Sequence, residues 1–373
     1  MQDICKKLRI FACNNSSHCT MNMNDYTNDA VALLCQLIAT PSVSRDEKQA
    51  ADVLCKALDG YGLTWQREGN NVWTTTDIRP DRPTLLLNAH IDTVKPVASW
   101  TRDPFCPTLE GDRLYGLGAN DCGGGLVSLL QVFRILTDTA HSSRPTTHNL
   151  IYLASAEEEV SGKDGIVRAL PLLPPIDLAI VGEPTGMQPA VAEKGLMVVD
   201  GYSHGVSGHA ARDEGVNAIY EALDDLCFLR QYRFPKVSKL LGPTKMQVTQ
   251  VESGTQHNVV PDLLHFVIDI RTNELYTNEE VLHFLQQHCH SELKARSTRL
   301  HSSHIALDHW LVERCVALGM QPFGSPTLSD QALMPFTSIK LGPGQSSRSH
   351  SADEFICRSE ISHAIETYCQ LLS

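Results

Sequence analysis

LLLNAHIDTVKP (residues 85–96) is an apolar run that ends in a histidine, skips one residue and gives an aspartate. The run predicts a buried strand. Residues i and i+2 of a strand share a face, so His90 and Asp92 point the same way where the strand ends. A surface turn that gathers polar residues accounts for such a pair. So does a metal-binding histidine whose second ring nitrogen is held by a carboxylate. The pair alone favours the turn, and its neighbours decide.

Outward from this strand, apolar residues recur at helical spacing between Asp25 and Asp59 (Ala30, Leu33, Leu34, Leu37; Ala50, Val53, Leu54, Leu58), predicting two helices broken at Pro41. NVWTTTD (71–77), HNLIYLASAEEE (148–159) and IDLAIVGEP (176–184) predict further strands, and LVSLLQVFRILTD (126–138) a helix. This order predicts an α/β fold with a mostly parallel central sheet and flanking helices. Ligands of such sheets bind beyond the carboxyl ends of the strands. There the unusual residues fall: His90 and Asp92 after one strand, Glu157, Glu158 and Glu159 after another, Glu183 after a third, and Asp121 in a glycine-rich loop before a helix.

From about Leu196 the texture changes. LMVVDGYSHGVSGHA (196–210) and MQVTQVESGTQHNVVPDLLHFVIDIRT (246–272) alternate like strands with turns, around a helical GVNAIYEALDDLCFLRQY (215–232). This predicts an inserted α+β domain over 195–298, leaving 25–194 and 299–373 as the larger domain. Residues 1–24 are expected to be a disordered extension, or to precede a true start at Met21 or Met23. Lys6, Lys7 and Arg9 precede only the short apolar patch IFAC, too short for a secretory h-region.

A net charge of −12 and no visible basic patch argue against nucleic acid. No apolar run is long enough to span a bilayer, so no membrane partner is expected. The 12 cysteines form no CxxC pair, which fits reduced thiols in a cytoplasmic protein. GLGAND lacks the third glycine of a dinucleotide loop, and neither a P-loop nor a GxSxG elbow is present.

Each acid has a bland explanation, because strand ends are often polar. Here, however, acids follow LIYLASA and LAIVG with no lysine or arginine beside them. Clustered carboxylates repel and need compensation, which a divalent cation provides. Histidine with carboxylates and no cysteine suits zinc or a similar first-row metal in a catalytic site.

HIDTV (90–94), YGLGANDCGGG (115–125), AEEEVSG (156–162), GEPT (182–185), SGHAA (207–211), HNVVPD (257–262), DIR (269–271) and GPGQSSRSHSADEF (342–355) occur in that order. Together, from about residue 28 to the C-terminus, they resemble the dinuclear zinc aminoacylase and carboxypeptidase family, which includes acetylornithine deacetylase, succinyl-diaminopimelate desuccinylase and carboxypeptidase G. Within it the chain is most similar to acetylornithine deacetylases of Bacteroides-type bacteria, some of which are thought to prefer N-succinylornithine.

The resemblance implies two zinc ions, with cobalt or manganese as substitutes. His90, Asp121 and Glu183 would hold one metal, and Asp121, Glu159 and His350 the other, with Asp121 bridging. The glutamate triplet leaves two registers; aligned on the family's Asp-Glu-Glu, Glu158 is the acid/base and Glu159 the ligand. Asp92 would orient His90. The inserted domain would be a lid and the seat of a homodimer, with His209 holding the substrate carbonyl. Asn258 and Arg271 would face substrate, Arg271 gripping a carboxylate or, alternatively, closing a strand-end salt bridge. The backbone near Gly344 would offer N–H donors, and SPTLSDQALM (325–334) would line the cleft. Cys122 departs from the pattern and sets an oxidisable thiol beside the metals. The implied activity is hydrolysis of an N-acyl amino acid, N-acetyl- or N-succinyl-L-ornithine first, in arginine biosynthesis. A desuccinylase, dipeptidase or carboxypeptidase of the same family is the alternative, and an inactive metal-binding module the remote one.

Overall fold

The computed structural model describes residues 21–138, 146–212 and 214–373. Most of the expected 1–24 extension lies outside them. Its last two residues, Met23 and Asn24, instead open helix α1 (Met23–Ile38). The reason is local: the Asn22 side chain accepts the Asp25 N–H, and the Asp25 carboxylate accepts the Asn22 N–H at 2.9 Å. This reciprocal capping box fixes the helix start. Helix α2 (Lys48–Gly60) follows beyond Pro41, and each helix buries most of the apolar stripe its spacing predicts, with Leu37 and Val53 only half-buried.

The chain forms two compact units. The first comprises the described residues up to Pro189, then Glu313–Gln321 and Lys340–Ser373. Its sheet contains β1 (Trp65–Glu68), β2 (Asn71–Thr75), β3 (Thr84–His90), β4 (Asn149–Ser155) and β5 (Leu178–Val181) in the order β1-β2-β4-β3-β5. β3 runs parallel to both β4 and β5, and β1 and β2 add an antiparallel edge. Every residue of β3, β4 and β5 is buried, as expected of parallel strands covered on both faces. Helix α3 (Gly124–Thr137) is buried almost throughout and packs against β3, α1 and the C-terminal helix Arg358–Leu372.

Register positions the site. His90 lies opposite Ser155, and Asn88 opposite Val181. The segments carrying Glu157–Glu159 and Glu183 therefore leave the sheet at the edge where β3 ends. The start of α3 is drawn to the same edge, because a Cβ on Gly125 would strike the Gly182 carbonyl. Only glycine permits that approach.

The second unit comprises Ala190–Val312 and Pro322–Ile339, a wider span than the expected insertion over 195–298. Strand pairing accounts for the difference. Ala190–Glu193 pairs antiparallel with Ser303–His304 and parallel with Phe323–Ser325, so residues on both sides of the insertion cluster with it. The centre of the unit is an antiparallel sheet of β6 (Met197–His204), β7 (Lys245–Ser253), β8 (Leu263–Arg271) and β9 (Glu292–Ala295), ordered β7-β8-β6-β9. Helices α4 (Ala218–Gln231) and α5 (Asn278–His288) share its core, built on Val199, Ala222, Leu229, Phe266, Ile268, Val281 and Leu285.

Candidate active site

His90, at the end of β3, is 2% exposed. Its Nδ1 lies 2.8 Å from the Asp92 carbonyl oxygen, which fixes the proton on Nδ1 in the neutral ring and leaves Nε2 as a lone-pair donor. Around Nε2 stand Asp121 Oδ1 at 3.4 Å, Glu183 Oε1 at 3.6 Å and Glu158 Oε2 at 3.9 Å.

The Asp92 carboxylate is 3.6 Å from the His90 ring, so the ring is oriented chiefly by the Asp92 backbone. The carboxylate is committed elsewhere. It accepts the Ser44 hydroxyl at 2.7 Å and the backbone N–H groups of Glu158 at 3.0 Å and Glu159 at 3.2 Å. Burial would raise its pKa; the His90 ring, Ser44 and the Glu158 N–H outweigh that and hold it below the ordinary carboxylate range.

The glutamate triplet divides. Glu157 has a left-handed backbone (φ 53), and its carboxylate accepts the Asp164 N–H at 3.3 Å in the turn that follows. Glu158 and Glu159 remain for the cluster. Glu159 Oε2 is 2.9 Å from His350 Nε2. That contact pushes the His350 imidazole up to about 9. Asp121 stands between the two histidines, with Oδ1 facing His90 and Oδ2 3.6 Å from His350 Nε2.

Glu183 is the least satisfied group. Its Oε1 is buried without a hydrogen-bond donor, and burial, then the charge of Asp121, push its pKa up to about 8. A buried carboxylate oxygen without a donor is costly, and a cation would satisfy it. The donors fit that role: ligand atoms of His90, Asp121 and Glu159 lie within 4.8 Å of one another, as do those of His90, Cys122 and Glu183. Imidazole with carboxylate suits zinc or a neighbouring first-row ion.

Cys122 is buried, and its Sγ accepts the His90 backbone N–H at 3.1 Å. Burial, above all, pushes its thiol well above the ordinary range. Burial thus favours the thiol over the more readily oxidised thiolate.

Gly344 has a positive φ of 82, its carbonyl accepts the Gly186 N–H at 2.6 Å, and a Cβ there would strike Asn120 Oδ1. Its glycine is thus required by packing against the Asp121 loop.

His209, Asn258 and Arg271 belong to the second unit. His209 Nδ1 accepts the Ala211 N–H at 3.1 Å, so the neutral ring carries its proton on Nε2 and can donate there. The Asn258 carbonyl accepts the Ala210 N–H at 3.0 Å. Arg271 makes two bonds to Asp269, at 2.9 and 3.1 Å, the strand-end salt bridge. Three groups at the site escape a reading of spacing: Ser44, which holds Asp92, and Asn120 and Glu354, which hold the Asp121 loop. No sequence signal separates these structural polar residues from solvated ones.

The profile of peptidase family M20/M25/M40 matches residues 86–373. The chain belongs to this family, and is a hydrolase of it. Its M20 relatives include succinyl-diaminopimelate desuccinylases from Stenotrophomonas maltophilia (strain K279a), 32% identical over 65% of this chain and 68% of the relative, and from Xylella fastidiosa (strain M23), 28% identical over 70% and 74%. Among solved structures, a tripeptidase from Staphylococcus aureus superposes with a TM-score of 0.72 at 18% identity, covering 93% of this chain and 97% of that one. A dinuclear metal-binding M20 peptidase from Bacillus subtilis gives 0.70 at 16% identity, covering 94% and 98%. These likenesses agree with the α/β fold and its mostly parallel sheet. Among the described residues, no helix is long and apolar enough to cross a membrane.

Proposed function

We propose that this M20 hydrolase cleaves the amide bond of an N-acyl amino acid with the help of two divalent metal ions. The observation that carries this reading is the meeting of Asp121, Glu158 and Glu183 at His90 Nε2 and of Asp121 and Glu159 at His350 Nε2, with a buried Glu183 oxygen that lacks a donor. His90, Asp121 and Glu183 would hold one ion and Asp121, Glu159 and His350 the other, zinc first, cobalt or manganese in its place. Bound there, such ions supply Lewis acidity toward an amide carbonyl and make water more acidic.

The chain's own groups supply the rest. Glu158 removes a proton from the attacking water and returns it to the leaving amine, so that amide and water become a carboxylic acid and a free amine. His209, protonated on Nε2, donates to the carbonyl oxygen as charge develops on it. Arg271 releases Asp269 to grip a substrate carboxylate through its guanidinium fork. Asn258 and the backbone at Gly344 complete the substrate contacts. These assignments rest on the motif match.

The desuccinylase relatives support an N-succinyl diamino acid as substrate, N-succinyl-L,L-diaminopimelate foremost. The ordered motifs support a second reading, N-acetyl- or N-succinyl-L-ornithine, with ornithine released for arginine biosynthesis in the cytoplasm. Amine release from the three compounds, measured side by side on Zn2+- and Co2+-loaded protein with and without chelator, decides between them. Cleavage of none would overturn the substrate assignment. The second unit is read as lid and dimer interface. Tyr220 and Leu223 on α4 are 68% and 48% exposed, and edge strand β7, packed beside α4, is mostly exposed. Sedimentation as a monomer at micromolar concentration would remove the dimer.

A further inference from the structure

Glu354 follows His350 by four residues and is 2% exposed. Its Oε1 accepts the backbone N–H groups of Asn120 at 2.7 Å and Asp121 at 2.9 Å, and its Oε2 accepts that of Gly118 at 3.1 Å. Its own carbonyl accepts the Gly116 N–H at 3.0 Å. Asn120 closes the other end: its Oδ1 accepts the Gln345 N–H at 2.9 Å, and its Nδ2 donates to the Gln345 carbonyl at 3.0 Å. The loop that carries Asp121 and the loop that carries His350 are therefore joined on both sides of His350.

We propose that Glu354 is a positioning residue that registers the Asp121 carboxylate against His350 before any metal arrives. The proposal rests on the metal-dependent reading above. Asp121 must present one oxygen to each histidine, and it does so at 3.4 Å and 3.6 Å. A shift of either loop would break that bridge. The chemistry of the clamp calls for a carboxylate: three N–H donors converge on two oxygens, and a carboxylate accepts at both. Glutamine would turn an NH2 group toward a backbone N–H. His350 itself sits at φ 58, a conformation that a non-glycine residue keeps only when its surroundings impose it. Glu354 imposes it from the inner side, toward Asp121. Asp353 ties the same loop outward instead, accepting the N–H groups of Thr101 at 3.0 Å and Arg102 at 3.1 Å.

The test is Zn2+ affinity by competition with a chromophoric chelator, on wild type, E354Q and D353N. Loss of an outer partner of a ligand typically weakens metal binding about 10–100-fold, and that loss is expected for at least one ion in E354Q, with D353N within about threefold of wild type. Unchanged affinity in E354Q, or an equal loss in D353N, overturns the assignment. If wild type binds no Zn2+, the metal-dependent reading falls and this proposal with it. Should E354Q fail to fold, hydrogen exchange on metal-free wild type serves. Slow exchange of a peptide spanning 116–123 supports preorganisation by Glu354, and rapid exchange overturns it.

Discussion

Asp92 Oδ1 accepts the backbone N–H of Glu158 at 3.0 Å. The residue two beyond the buried histidine thus holds the backbone from which Glu158, the proposed acid/base, and Glu159, the proposed ligand, project. Its second oxygen takes the Glu159 N–H and the Ser44 hydroxyl. Asp92 ties three segments together, and under the proposed mechanism its effect on chemistry would pass through the placement of Glu158 and Glu159.

D92N should therefore lower kcat about 10–100-fold, the usual scale for an outer partner, and should weaken metal binding as well. S44A removes only one of the bonds and should cost less. Steady-state rates on metal-loaded variants check the order; an S44A defect equal to that of D92N would contradict it.

Glu158 and Glu159 should separate by assay. E158Q should retain its metal by elemental analysis while kcat falls roughly 10²–10⁴-fold, the range for a lost acid/base. E159Q should lose metal, because it removes the partner 2.9 Å from His350. The reverse outcome would shift the register of the triplet by one.

The Glu183 oxygen without a donor predicts opposite effects in the two metal states. An unsatisfied buried group costs about 1–3 kcal/mol, more when charged. Above about pH 8, where Glu183 is ionised, E183Q removes a buried charge and should raise the Tm of the metal-free protein. A ligand at 100 times its Kd adds about 2.7 kcal/mol to the folded state. Zn2+ should therefore raise the Tm of wild type more than that of E183Q. Calorimetry with and without Zn2+ reads both effects.

In the second unit, hydrogen bonds from Arg296 at 2.8 and 3.0 Å hold the Asp200 carboxyl down to about 2 from an ordinary 3.8, and His265 adds a contact at 2.8 Å. A depressed carboxylate stabilises the fold above its unfolded pKa and loses that contribution as pH falls through the folded value. D200N should be destabilised by about 1 kcal/mol or less at pH 7, the scale of a surface pair. The deficit should shrink between about pH 4 and pH 2. Denaturant titration at several pH values checks the trend, and a deficit that grows toward acid would refute it.

Arg271 is bound to Asp269 in this structure. If it also grips the substrate, R271A should raise KM with kcat little changed, the pattern of lost uniform binding. An unchanged KM would leave Arg271 as a structural salt bridge.

The strands around the site were legible because burial on both faces writes a long apolar run, as in TLLLNAH (84–90) and NLIYLAS (149–155). The separate roles within EEE (157–159) were not legible, since three adjacent identical acids carry no periodic signal. The left-handed turn at Glu157, which sends that side chain to Asp164, is a property of the folded loop. Glu354 was hidden for a related reason: nothing local distinguishes a buried acid from a solvated one in HSADEF (350–355).

The α/β class, the strand ends that carry His90, Glu158, Glu159 and Glu183, and membership in a family of hydrolases were all readable along the chain. Those features follow from patterns that are local or ordered along the chain. It took the folded chain to show that Asp92 serves the Glu158 and Glu159 backbone as much as His90, that Cys122 is a buried thiol against the His90 backbone, and that Glu354 clamps the Asp121 loop. These depend on which backbone N–H groups meet a given side chain across gaps of dozens to more than two hundred residues. Such contacts are set by strand register and loop closure, and a one-dimensional pattern does not record them.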